Sequence, residues 1–334
     1  GMAVPRARAR GVGMTSRLCF WKKDEPVGIE TPEDERKAAP AEGSEPDMGA
    51  PSRTLWGDAW ARLRKNRLAI VAAVWIVLIV VVALTADLWV PQALGSPTEQ
   101  LFDARLPMSV EHPFGTDQVG RDVLSRVIYG ARISLAVGVL ATAISTVIGL
   151  VMGALAAYYG GIWDTIIMRL ADIFLAFPYT LFVIAMLAVL GSGIQNVFIA
   201  IGVLGWPSIA RVFRSAILSV KENDYVDAAR SMGASDARII MRHIFPNSVA
   251  SIVVYATMNI GGAILTEAAL SFLGMGVVPP DPSWGILIEN GQKFLATQPW
   301  LMIMPGLAIL LTVLAFTLLG DGLRDALDVK MKDA

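Results

Sequence analysis

Uninterrupted apolar runs alternate with short charged segments along this chain, and several runs are long enough to cross a bilayer. About 20 apolar residues in a helix span the hydrocarbon core. The first run is Leu68–Ala86, LAIVAAVWIVLIVVVALTA, and the second is Ile133–Tyr158. From Ile173 to Ala210 no residue is charged, which is too long for one crossing, and GSGIQN at 191–196 supplies a turn between spans three and four. Ile244–Thr266 and Leu301–Leu319 give spans five and six. The pattern predicts an all-α polytopic membrane protein with six transmembrane helices.

The second span carries small residues every four positions, Ala141, Ser145, Gly149, Gly153 and Ala157. That spacing places them on one helical face, where small side chains admit a second backbone, so tight helix packing is expected. Pro178, Pro207 and Pro305 each remove a backbone donor inside a span and favour kinks. No Asp, Glu, Lys, Arg or His falls in the middle of a span; Asp87, Asp172 and Glu267 sit towards the ends. Thr257 and Asn259 are the polar side chains nearest mid-membrane. Pumps and ion-coupled carriers generally use intramembrane ionisable relays, so such a carrier is disfavoured. Sodium coupling through backbone carbonyls stays open.

Composition sharpens the class. The 334 residues are 54% hydrophobic and 17% charged, against about 25% charged in soluble domains. A net charge of −1 gives no electrostatic reason to expect a nucleic-acid partner. Lysine and arginine are unevenly placed. Arg53, Arg62, Arg64, Lys65, Arg67, Arg169, the 211–243 loop and the residues after span six fall on one side. Arg105, Arg121, Arg126, Arg132 and Lys293 fall on the other. The positive-inside rule then puts both termini in the cytoplasm of a bacterial cell, with the chain multi-pass in its plasma membrane. Residues 1–54 are charged, proline-rich and poor in large apolar residues, and read as a disordered cytoplasmic tail. No apolar run follows the early arginines, so no signal peptide is expected. Cys19 is the only cysteine, which excludes an intrachain disulfide.

Candidate chemistry is sparse. No lysine is followed by Ser or Thr, so the phosphate-binding GxxxxGK[ST] loop is missing. There is no HExxH, and His112 and His243 are too few and too far apart for a metal centre. No catalytic constellation, metal site or cofactor site is expected in this chain.

The informative polar segment is DYVDAARSMGASDARIIMRHIFPN, 224–247. Tyr225, Ala229 and Met232 form one apolar edge, and Ala237, Ile240 and Ile244 form another. Gly233 sits where a left-handed residue ends a helix, Ser235 can cap the next with Asp236 favoured in its first turn by the helix dipole, and Pro246 marks entry to span five. A solvated loop would not need two apolar edges. A DNA-reading helix pair would need a third helix and freedom from the membrane. A helix laid into a groove of a cytoplasmic partner fits best.

This stretch resembles the EAA loop of ABC importer membrane subunits, with Asp227-Ala228-Ala229, Gly233, His243 and Phe245-Pro246 in the frame of that motif. Asp stands for Glu, His for Ile and Phe for Leu. HPFGTDQVGRDVLSRVIYGARISL at 112–135, LSFLGMGVVPPDPSWG at 270–285 and PGLAILLTVLAFTLLGDGLRDALD at 305–328 resemble the C-type permease subunits of dipeptide, oligopeptide and nickel importers. The resemblance implies a type I importer fold. It also implies a second, B-type permease subunit, two cytoplasmic ATPases holding ATP and Mg, and an extracytoplasmic binding protein. Peptides are the commonest cargo it implies, with nickel or another small solute as the alternative. It implies that Asp227, Ala228, Ala229 and Gly233, with Pro246 at the span entrance, form the ATPase-coupling element.

The expected organisation is a tail over 1–54, then an N-terminal permease segment over 55–110 with the first span. An outer amphipathic segment follows over 111–132. A transmembrane domain covers 133–322, with its coupling loop at 211–243, and a cytoplasmic tail covers 323–334. In the outer segment Val123, Val127 and Ile128 are expected against the membrane, with Asp122 paired to Arg126. In the last outer loop Pro279, Pro280 and Pro282 stiffen the chain beside Trp284. These four residues are candidates for contact with the binding protein or for anchoring in the lipid interface.

Overall fold

The structure is a computed structural model that describes residues 55–98, 100 and 103–327; the expected N-terminal tail and residues 328–334 lie outside it. Helix α1 (Leu55–Leu63) leads through a short turn into α2 (Arg67–Ala93), where the Asn66 side chain accepts from the Ala69 amide at 3.2 Å. The chain continues as α3 (Val123–Tyr159), α4 (Gly161–Ala176), α5 (Tyr179–Leu190) and α6 (Ile194–Lys221). Two short helices follow, α7 (Asp224–Ser231) and α8 (Asp236–Ile239), then a π-helical turn (Ile240–Ile244). Helices α9 (Phe245–Phe272), α10 (Trp284–Gln292) and α11 (Trp300–Leu327) complete the described residues.

Five helical segments are long and apolar enough to cross a membrane, and the pair α4–α5, bent by 91°, supplies a sixth crossing if taken as one span. The six-span reading therefore holds with one span broken. Three prolines with the same predicted tendency behave differently. Phe177 is forced into an extended conformation before Pro178 (φ −90°, ψ 142°), and the helix breaks there, as expected for a residue preceding proline. Pro207 and Pro305 lie inside continuous helices. Both are buried, as is Trp206; packing on the neighbouring turns holds the helix across the missing bond.

Helix α3 starts ten residues earlier than the apolar run suggests, because Asp122 caps it by accepting from the Ser125 amide at 2.8 Å. Val123, Val127 and Ile128 are buried within the protein and do not rest on the membrane. Arg126 does not pair with Asp122: it lies 3.7 Å from Asp117 and donates to the Pro97 carbonyl at 2.9 Å. The 111–132 segment is thus a folded cap continuous with the second span.

The contact between α3 and α6 forms the centre of the bundle. The small-residue stripe faces α6, where a Cβ at Gly149 would come within 2.7 Å of Ile209, and one at Gly153 within 2.7 Å of the Ala210 carbonyl. Only glycine permits that approach. Ser145 donates to the Gly202 carbonyl at 2.8 Å, and Ala141 and Ala157 are buried in the same seam. Helices α4 and α6 are joined by two ion pairs, Arg214 to Asp164 at 2.5 Å and Arg211 to Asp172.

Candidate functional site

The segment between α6 and α9 is built from the backbone outward. Asn223 closes the end of α6 by donating to the Ser219 and Val220 carbonyls at 3.2 and 2.9 Å. Helix α7 ends at Gly233, whose φ of +79° is left-handed. The Gly233 amide donates to the Arg230 carbonyl at 3.0 Å, and the Ala234 amide to Ala229 at 3.1 Å. That is the paired bonding of a glycine-terminated helix. A Cβ at Gly233 would meet nothing within 4 Å, so backbone geometry alone, and not space, calls for glycine.

The apolar edges differ from the expected ones. Val226 and Ala229 are buried in α7, whereas Tyr225 is exposed and Met232 is 82% exposed. Ile239 and Ile244 are buried, and Ile240 only partly so. The π turn accounts for the second edge. Pro246 has no N–H to offer the Arg242 carbonyl, and the Phe245 amide instead bonds the Ile240 carbonyl, five residues back. A wider turn lets residues five apart share a face. Val226, Ala229, Ile239 and Ile244 pack with Tyr158, Phe213 and Ile217, seating the segment on the ends of α3 and α6.

Polar links fasten the same junction. Tyr158 hydrogen-bonds the Asp236 carboxylate at 2.5 Å, and Lys221 donates to the Tyr158 and Ala157 carbonyls at 2.8 and 3.3 Å. Asp227 and Arg230 form an exposed pair at 3.1 Å. Ala228 is also exposed, so the side of α7 opposite Val226 is free of the chain's own packing.

At the other end of the bundle the 273–283 loop and α10 dock onto the first turns of α3. Trp284 is 0% exposed and donates through Nε1 to the Val127 carbonyl at 2.9 Å. Glu267, also 0% exposed, accepts from Ser134 at 3.1 Å and Ser271 at 2.7 Å. Ser283 caps α10 and donates to Ser271 at 3.4 Å. Nearby, His112 and Asp122 are 2.9 Å apart, and Asp117 pairs with Arg121 at 2.7 Å. Two of the proposed surface residues are therefore corrected: Pro282 and Trp284 are buried, the Trp284 indole N–H finding its acceptor inside the chain. Pro279 and Pro280 remain exposed. Glu267 is corrected as well, since its carboxyl is enclosed by hydroxyls and does not lie at a solvated helix end.

Comparison with known proteins places this arrangement. Residues 123–333 match the family described as binding-protein-dependent transport system inner membrane component. Residues 54–106 match the N-terminal membrane domain of oligopeptide transport permease C. This chain belongs to that permease family. It is 47% identical over 283 residues to the glutathione transport system permease protein GsiD of Escherichia coli O6:K15:H31, covering 84% of this chain and 92% of the relative. The GsiD protein of Shigella boydii serotype 4 matches to the same extent. Among solved structures, an inward-facing form of the MetNI methionine ABC transporter aligns with TM-score 0.50 and 21% identity, over 60% of this chain and 96% of that one. That likeness supports the fold.

The protein is thus the multi-pass inner-membrane permease subunit of an ABC importer. The permease's fold brings Asp227, Ala228, Ala229, Gly233 and Pro246 into one segment at one end of the bundle, and Pro279 and Pro280 to the opposite end. Tyr158 and Lys221 were missed by sequence reasoning, because each lies at the end of a long apolar helix with no local motif. Asp236 was read only as a residue favourable to the start of a helix. Ser134, Glu267 and Ser271 were missed for a different reason: Ser134 and Glu267 are 133 residues apart. Among the described residues no group of three or more His, Cys, Asp or Glu side chains is placed to hold a metal.

Proposed function

We propose that this permease carries di- or oligopeptides inward through a path it forms with a B-type partner permease. Two cytoplasmic ATPases, holding ATP and Mg, drive the step through the Asp224–Ile244 segment. The 47% identity to glutathione permeases, whose named cargo is itself a small peptide, supports the peptide reading. The lysine and arginine asymmetry supports a cytoplasmic location for the segment and both termini.

The observation that carries the coupling role is the two-sided character of α7. Val226 and Ala229 are locked into the bundle, while Ala228 and Met232 face outward and Tyr225 is exposed beside Asn247 and His243. A short amphipathic helix of this kind fits a groove on another protein. The segment is tied to α3 by the Tyr158–Asp236 hydrogen bond and seated on α6 by the packing of Val226 and Ala229 against Phe213 and Ile217, so displacement of the docked helix reaches two spans by direct contact. On the far side, the exposed Val278, Pro279 and Pro280 form the candidate contact for the binding protein.

Purification of the complex through this subunit tests the reading. ATPase subunits and a second permease should co-purify, hydrolyse ATP with vanadate sensitivity, and drive glutathione or trialanine into proteoliposomes when a binding protein is supplied. Uptake by this subunit alone under an ion gradient, without ATP, would overturn it.

A further inference from the structure

Two cavities lie end to end between α6 and α9. One, about 760 Å³, opens near the coupling segment and is lined by Ser219 of α6 and by Asn247, Ser251 and Tyr255 of α9. The second, about 260 Å³, lies further along the same helices and is lined by Ser208 of α6, Asn259 and Thr266 of α9, Thr142 of α3 and Tyr179 of α5. On α9 the lining residues Asn247, Ser251, Tyr255, Asn259, Gly262 and Thr266 follow each other at intervals of three or four. That interval is one face of a helix. A single polar stripe therefore runs along α9 from the coupling end, and both cavities sit on it.

The polar side chains lining the two cavities are hydroxyls and carboxamides, interleaved on α9 with Ala250, Val254, Met258 and Ala263, and Arg324, at the coupling end, is the one permanent charge lining either cavity. At the wall of the second cavity Thr142 is 4% exposed, and its buried hydroxyl has no hydrogen-bond partner. A buried polar atom left unpaired costs about 1–3 kcal/mol, a cost removed when a partner arrives. Asn259 uses its amide nitrogen on the Tyr255 carbonyl at 2.9 Å and keeps its carboxamide oxygen for another donor. Tyr179, placed there by the break at Pro178, donates to the Ile201 carbonyl at 3.0 Å and its ring walls the cavity.

The geometry points to the α6–α9 stripe as the cargo-lining surface of this subunit, with Thr142, Ser208 and Asn259 as the groups that exchange hydrogen bonds with a passing solute. The class that suits it is a solute rich in amide N–H and C=O groups, such as a peptide backbone. Neutral groups bind such a solute in sequence without holding a charge in place, and Arg324 meets a carboxylate at the exit. This assignment rests on the importer reading above and names the surface that reading leaves open.

The test uses the assembled transporter in inside-out vesicles, with Cys19→Ser as background. Ser208→Cys and Asn259→Cys, on different helices, are compared with Val151→Cys, which is exposed on the bundle's outer surface and lines neither cavity. A charged, membrane-impermeant methanethiosulfonate should label the first two at least tenfold faster than the third. Trapping with ATP and vanadate should change those rates at least threefold. Labelling no faster than at Val151→Cys, or fast labelling untouched by trapping, overturns the assignment. Asn259→Leu should also reduce ATP-driven glutathione uptake at least tenfold with vanadate-sensitive hydrolysis retained; uptake at the wild-type level overturns it. Failure of the importer reading is separately visible, because the same preparation would then show no vanadate-sensitive hydrolysis at all.

Discussion

The two ends of this bundle are built on opposite rules. At the end holding α10, polar and aromatic side chains turn inward: Trp284, Glu267 and Asp122 are each 0% exposed and bonded within the chain. At the end holding α7, one face is anchored while Tyr225, Met232 and Met241 stay exposed. The first end is sealed on itself. The second is a finished surface on one side only, with its other face open. Within one helical membrane fold, then, burial measures stability at one end and availability at the other.

That contrast can be broken by substitution. Trp284→Ala removes a fully enclosed indole and should cost about 3–5 kcal/mol, read as a steep fall in the melting temperature of the purified complex. A Tm within a degree of wild type would mean the α10 end is not sealed. Gly233→Val places a branched residue at φ +79°, a backbone penalty of about 1–3 kcal/mol. The surrounding space is open, so the protein should still assemble; uptake should fall at least tenfold while ATP hydrolysis persists. Tyr158→Phe deletes one hydrogen bond to a carboxylate, worth about 1.5–3 kcal/mol, and should loosen coupling without abolishing it, seen as fewer solute molecules imported per ATP. The smallest stability effect belongs to Met232→Glu, within about 0.5 kcal/mol for so exposed a site. Its Tm should be unchanged while co-purifying ATPase drops severalfold. Intact ATPase recovery would remove Met232 from the docking face.

The spans were legible because apolar run length against bilayer thickness is a one-dimensional quantity. The turn at Gly191–Gly193 and the stop at Gly233 were legible because each depends on glycine where φ is positive. The edge through Ile240 was misread because the expected spacing assumed 3.6 residues per turn, and the π turn lets Ile239 and Ile244 share the buried face; in α7 the burial of Val226 is set by Phe213 and Ile217, which come from distant chain. Pro178 could not be told from Pro207 and Pro305 by type: what separates them is packing on the flanking turns, which comes from distant chain. The burial of Glu267 and Trp284 was invisible for the same reason, since their partners on α3 lie 133 and 157 residues away.

The π turn at Ile240–Ile244 also changes how distance along this chain translates into angle. A surplus residue in a helical path is a phase offset of about 100°. Deleting one residue there would barely shorten the connection, yet it would rotate the docking face out of phase with the polar stripe of α9. Under the proposed coupling the junction works like a keyed shaft, in which azimuth rather than length decides whether a push arrives.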